Sequence, residues 1–201
     1  MDSAYARRAP SIERQNMFHV RSRGSARRVA ATTVVGVALF GLLMGCGSDA
    51  ADGGSAELDG TSMPPWRAPT DVPARVASAG LDLGPMGMAE HYHPQLEIII
   101  NGQQVPVPGN IGVDPSTGAM SAVHTHEADG TIHIEAGADG ELFTLGQLFT
   151  QWGVKLTTTQ LGGVKADPGE KVTVTSNGSA VAGDPMDLRL EPEQKIVVQL
   201  P

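Results

Sequence analysis

The sequence predicts an α+β domain, a small mixed β-sheet packed on one main helix, β-grasp-like in its element order, with a β-sandwich as the alternative. Three observations predict it. Segments 95–101, 131–136, 171–176 and 195–200 are rich in β-branched residues or alternate apolar with polar, as strands of period two require. Two Asn-Gly dipeptides, Asn101-Gly102 and Asn177-Gly178, sit where such runs end; this pair suits the tight hairpin turn with positive φ at both positions. Only residues 144–153 carry a complete helix signature, and one helix cannot cover both faces of a large sheet.

The elements follow in order. Residues 1–45 read as a targeting segment. Arg7, Arg8, Arg14, Arg21, Arg23, Arg27 and Arg28 form a basic stretch, and residues 29–44 are a 16-residue apolar run, short of the roughly 20 needed to span a bilayer. Residues 46–64 are small, polar and acidic, and read as a flexible tether. Residues 65–201 then form a single His-rich domain. Asp71 is placed to cap a short helix running to Ala79, with Gly80 as its stop. Segment 95–101 is the first strand, where Ile98, Ile99 and Ile100 imply burial on both faces. Its return, 103–108, holds Pro106 and Pro108 and belongs at a sheet edge.

Segment 131–136 places Ile132 and Ile134 on one face, and His133 and Glu135 on the other. The main helix opens with a Thr144/Gln147 capping box and a Phe143/Leu148 staple. It runs through an apolar stripe of Leu145, Leu148, Phe149 and Trp152, and stops at Gly153. Residues 171–176 and 195–200 complete the sheet.

Charge and cysteine usage exclude whole classes of function. Beyond residue 45 the chain keeps seven Lys and Arg against twenty Asp and Glu, a net charge of −13. Such a surface repels nucleic acid and anionic headgroups. Cys46 is the only cysteine. Leu43-Met44-Gly45-Cys46 resembles the lipobox of bacterial lipoproteins, which implies cleavage before Cys46 and a lipid on its sulfur. The implied location is the outer face of the cytoplasmic membrane, with the membrane as a partner through that lipid. A lipidated Cys46 leaves no thiol for disulfides or thiolate metal centres.

The chemistry is concentrated in histidine. Five of the six histidines fall within residues 91–133. In extended chain, residues i and i+2 project to one side, so His91/His93 and His124/His126 each form a two-toothed chelate. His133 lies on the polar face of the following strand. Neutral imidazole is a common ligand of copper and zinc, and three or four ligands make a site. The metal-site candidates are therefore His91, His93, His124, His126 and His133, with Glu127 and Glu135 as carboxylates able to orient an imidazole N–H. Met86, Met88 and Met120 would add soft thioethers, which favour copper.

These residues also carry a resemblance. His91-Tyr92-His93, Leu96, Asn101-Gly102, His124-Thr125-His126-Glu127, Gly130, His133-Ile134-Glu135, 143–146, Trp152-Gly153 and Gly183-Asp184-Pro185 together resemble an uncharacterised family of bacterial exported proteins. Glu127 stands where Asp is more usual, and Pro94-Gln95 where His or Ala is common. The resemblance implies a stand-alone exported domain and supplies no activity. The functional expectation is a membrane-anchored lipoprotein that binds a transition metal, Cu or Zn, for handling or sensing. The alternatives are a metal-dependent enzyme and a metal-free interaction module. No H-E-x-x-H, G-x-S-x-G or glycine-rich phosphate loop is present to favour a familiar catalytic class.

Overall fold

The computed structural model describes residues 60–201. The expected signal segment, Cys46 and residues 46–59 of the expected tether lie outside them. Helix α1 (Val72–Ser78) leads into strands β1 (Glu90–Tyr92), β2 (Gln95–Ile100) and β3 (Gln103–Val105), then β4 (Val123–His124) and β5 (His133–Ala136). Helix α2 (Leu145–Trp152) follows, then β6 (Gln160–Leu161), β7 (Val164–Lys165), β8 (Thr173–Ser176), β9 (Ser179–Ala180), a 3-10 turn at Pro185–Asp187, and β10 (Lys195–Leu200). Among the described residues this is a mixed α+β arrangement of open sheets with two α-helices.

The strands do not share one sheet as expected. They form a five-stranded sheet in the order β3-β2-β10-β8-β9, a three-stranded sheet in the order β1-β5-β4, and the small β6-β7 pair. Pro94 helps to explain the separation. It stands between β1 and β2, and a residue without an N–H cannot continue a ladder on both sides. Its carbonyl instead accepts from Ile132 N at 2.9 Å, which ties the approach to β5 onto the bend. Residues 133–136 thus pair with β1 and β4, and the main sheet keeps only an isolated antiparallel bridge from Gln95 to Thr131.

In the five-stranded sheet β10 is central, parallel to β2 and antiparallel to β8. Both Asn-Gly turns have the expected positive φ, 51° and 74° at Asn101-Gly102 and 51° and 79° at Asn177-Gly178. β3 is at the edge, where the prolines of its segment require it. Ile98 and Ile100 are buried but Ile99 is only partly so, so β2 buries one face fully and half-covers the other. That corrects the expectation of burial on both faces.

Helix α2 is built as the sequence reads. Thr144 Oγ1 accepts from Gln147 N, and Gln147 Oε1 accepts from Thr144 N at 2.9 Å, a closed capping box. Such a cap contributes about 1 kcal/mol. Phe143, Leu145, Leu148, Phe149 and Trp152 are all buried. Each large apolar side chain contributes roughly 1.5–3 kcal/mol on burial. Gly153 ends the helix in the left-handed region, φ 77°, with its N–H on Phe149 O at 2.9 Å.

Helix α1 departs from expectation at its start. Asp71 makes no side-chain cap; its carboxylate accepts from Arg75 Nε at 2.5 Å. Trp66 and Trp152 meet edge to face, 5.6 Å between centroids. Residues 60–62, inside the expected tether, are hydrogen-bonded onto the domain: Lys155 N donates to Gly60 O at 2.9 Å and Gly163 N to Ser62 O at 2.7 Å.

Candidate metal centre

The three-stranded sheet carries all five histidines of the 91–133 segment, on it or at its ends. Its register explains why they meet. In an antiparallel ladder, directly opposed residues lie on the same face. His124 opposes His133, and His91 opposes Glu135. His93 and His126 follow two residues after His91 and His124, so the same face is extended to them. The opposed pairs of the other face are Glu90 with Ala136, Tyr92 with Ile134 and Val123 with Ile134, and Val123, Ile132, Ile134 and Ala136 are fully buried in the core. One side of the small sheet is imidazole and carboxylate; the other is hydrocarbon except at β1, where Glu90 and Tyr92 are half-buried.

The rings converge on His133. Its centroid lies 4.5 Å from His93, 4.6 Å from His126, 5.3 Å from His124 and 6.2 Å from His91. Within the pairs, His91 and His93 are 4.6 Å apart, and His124 and His126 4.7 Å. Two triads result, His91/His93/His133 and His124/His126/His133, each with ligand nitrogens within 4.8 Å of one another. Each triad is positioned to hold a metal ion. Every histidine singled out in the sequence is therefore in the cluster.

The second pair is the more closely built. His124 is fully buried, and its Nδ1 lies 2.9 Å from Ser121 O. A carbonyl only accepts, so the ring proton belongs on Nδ1 and the lone pair on Nε2. His126 Nε2 donates its proton to that lone pair at 3.1 Å. Two nitrogens bound to one ion at about 2.0–2.1 Å and a tetrahedral angle are about 3.3 Å apart, so the metal-free spacing is close to a chelating one. Burial depresses the His124 pKa from its ordinary 6.5 to about 4; the hydrogen bond to Ser121 opposes the shift, and the neighbouring imidazoles of His126, His133 and His91 reinforce it. The ring stays neutral, and able to ligate, in mild acid. Burial also lowers His133, aided by the other imidazoles and opposed by Glu127.

Several residues that hold this pair escaped sequence reasoning. Gln151, fully buried on α2, donates from Nε2 to Val123 O at 2.5 Å. The Ser121 hydroxyl, with one proton, lies between Gln151 Oε1 at 2.9 Å and Val123 O at 2.5 Å. Thr125 Oγ1 donates to Pro108 O at 2.8 Å and accepts from Ile111 N at 3.1 Å. A glutamine on the flank of an apolar stripe was the one available signal. Gly109 packs so closely on the His126 carbonyl that a Cβ there would collide with it. Gly130 (φ 84°) meets Leu96 O in the same way, while Leu96 N donates to Gly130 O at 2.8 Å.

The first pair is looser. His91 and His93 are exposed, and Glu135 Oε1 lies 3.6 Å from His91 Nε2. Glu135 is buried, 6% exposed, and its Oε2 has no hydrogen-bond partner. A buried carboxyl oxygen without a donor is costly unless a cation or N–H faces it. It borders a cavity of about 240 Å³ that Met86 and Met120 also line. Met88 is 91% exposed. Glu127 is exposed and makes no hydrogen bond to any of the five rings among the described residues, acting on His133 through charge alone. Glu90 and Asp129 spend their carboxylates on backbone, accepting from Gly140 N at 3.1 Å and Thr131 N at 2.8 Å.

No helix among the described residues is long and apolar enough to cross a membrane. Compared with family models, curated proteins and solved structures, the chain matches none.

Proposed function

We propose that this protein is an extracytoplasmic lipoprotein that binds copper or zinc through its histidine face, and serves in metal handling or sensing at the outer side of the cytoplasmic membrane. One observation carries the metal reading: five imidazoles from three separate strand segments meet around His133, and two of their nitrogens already stand 3.1 Å apart. A surface without a ligand has no reason to gather rings whose protonated forms repel. Imidazole alone admits either metal; copper is put first by the soft Met86 and Met120 thioethers, which line a cavity with Glu135 and none of the five histidines. Anchorage rests on Leu43-Met44-Gly45-Cys46, and the exported character on the H-T-H and I-H-x-E residues quoted above. We take the roll as β-grasp-like, supported by the hairpin of β2 and β3 beside the parallel β2/β10 pair.

The test is elemental analysis of the full chain in mild detergent, loaded with copper or zinc and then dialysed. The wild type should retain metal stoichiometrically. A His124→Ala/His126→Ala variant should lose affinity at the His124/His126/His133 group by more than the roughly 10–100-fold cost of removing an outer partner. Wild-type affinity should fall in acid, because an imidazole must be unprotonated to ligate. A wild type that retains neither ion would end the metal reading. A Cys46→Ser chain that stays in the membrane fraction would end the lipid reading.

A further inference from the structure

The arrangement of the five rings bears on how many ions the face takes. The two triads share one member only. His91 and His93 contact each other and His133; His124 and His126 contact each other and His133. Among the described residues, no ring of the first pair touches a ring of the second. His133 stands between them, at nearly equal distance from His93 (4.5 Å) and His126 (4.6 Å). A single ion gathering all four outer rings would have to draw together two pairs that His133 separates. Two ions, one at each triad, ask only for small closures from N···N separations within 4.8 Å.

We propose that the histidine face holds two metal ions, with the His133 ring bound to both, one nitrogen to each. The proposal rests on the metal-binding reading above and adds the count and the bridge. A neutral imidazole has one lone pair and one N–H. The first ion takes the lone pair. The second forms its bond where the N–H was: that N–H bond breaks, the proton leaves to solvent, and the ring becomes an imidazolate carrying one negative charge. Metal binding at histidine is coupled to proton loss in this sense. The anionic bridge, with the nearby carboxylates of Glu127, Asp129 and Glu135, offsets the repulsion between two dications. Glu135 sits on the His91 side only, where the buried Oε2 is without a donor. The two ions are thus inequivalent: one in the tight His124/His126 half, one in the open His91/His93 half.

The experiment loads the full chain in mild detergent with copper(II) in increments, following stoichiometry by elemental analysis and spin intensity by electron paramagnetic resonance. Two ions per chain are expected. The second equivalent should reduce the signal rather than add to it, because an imidazolate couples the two unpaired electrons. His91→Ala/His93→Ala should bind one ion with full signal, as should His124→Ala/His126→Ala. Saturation at one ion in the wild type would overturn the proposal while leaving the metal reading in force. Two ions with additive signals would overturn the bridge. Retention of no ion would remove both readings together. Should the buried-pair variant fail to fold, the exposed-pair variant decides alone: one retained ion supports two sites, and none overturns them.

Discussion

The two halves of the histidine face share chemistry and sheet, and differ in support. His124 is fully enclosed, its Nδ1 occupied by Ser121 and its Nε2 facing His126, and its strand is pinned to α2 through Gln151. His91 and His93 project into solvent from a three-residue strand, with Glu135 at 3.6 Å as the one carboxylate at His91. The comparison teaches that identical H-x-H spacing does not make identical sites. A pair tied to a helix spends folding energy on pre-organisation and has little left to lose when an ion arrives. A pair at a free edge must be ordered by the ion itself, at an entropic cost for each side chain.

The largest expected effect breaks the comparison with acid. The folded His124 pKa is depressed to about 4 from 6.5. Between those values the unfolded chain binds a proton that the folded chain refuses, so stability rises with pH across this window and is lost as pH falls from about 6.5 to about 4. The loss attributable to His124 is about 3 kcal/mol. Urea midpoints of the metal-free chain, measured against pH, should show it, and His124→Gln should flatten the curve. An unchanged slope in that variant would mean that the buried ring is not what acid attacks.

Next comes the pin itself. Gln151→Ala removes the amide donor to Val123 O and the acceptor beside Ser121; the Ser121 hydroxyl then donates to Val123 O, so the cost is that of lost hydrogen bonds, about 0.5–1.5 kcal/mol each. Denaturant unfolding checks the stability. Metal affinity of a His91→Ala/His93→Ala background, in which only the pinned half remains, should fall with it. The same substitution in a His124→Ala/His126→Ala background should leave the open half's affinity within about twofold, since it acts on a strand that half does not use.

The smallest effect sharpens the open half. Glu135→Gln replaces the carboxylate near His91 with an uncharged amide. Affinity at the His91/His93 half should drop about tenfold, as for other outer partners of a ligating histidine. Stability of the metal-free chain should rise slightly, because a buried charge is replaced by a neutral amide at an atom without a donor. Opposite signs in calorimetry and thermal melts would identify Glu135 as a positioning group; equal signs would reduce it to packing.

Legibility from sequence followed the range of the interactions. The capping box of α2 and both Asn-Gly turns are written in residues at most three apart, and the chain reads them directly. The histidines were legible as ligand types, and as two same-side pairs, from period two alone. Their meeting at His133 needs two registers: β4 with β5, where His124 opposes His133 nine residues on, and β1 with β5, more than forty residues apart, which no local pattern encodes. The split into separate sheets depends on Pro94 acting as a bend, and a proline does not announce which strand the chain will join afterwards. Asp71 looked like a cap because its type fits; Arg75, one turn on, competes for the same carboxylate and wins. Ser121 left no signal as a support and Gln151 only its place beside an apolar stripe, because a buried polar pair is defined by its partner.

The three strands that present the imidazoles also roof the interior with Val123, Ile132 and Ile134 on their underside. Presentation and roofing are thus one ladder of backbone bonds. Substituting beneath it to re-tune ring spacing would loosen the domain, and tightening the domain would shift the rings. Divergence in ligand preference has freest rein at rim positions such as Glu127, whose exposed side chain alters local charge without disturbing what lies below.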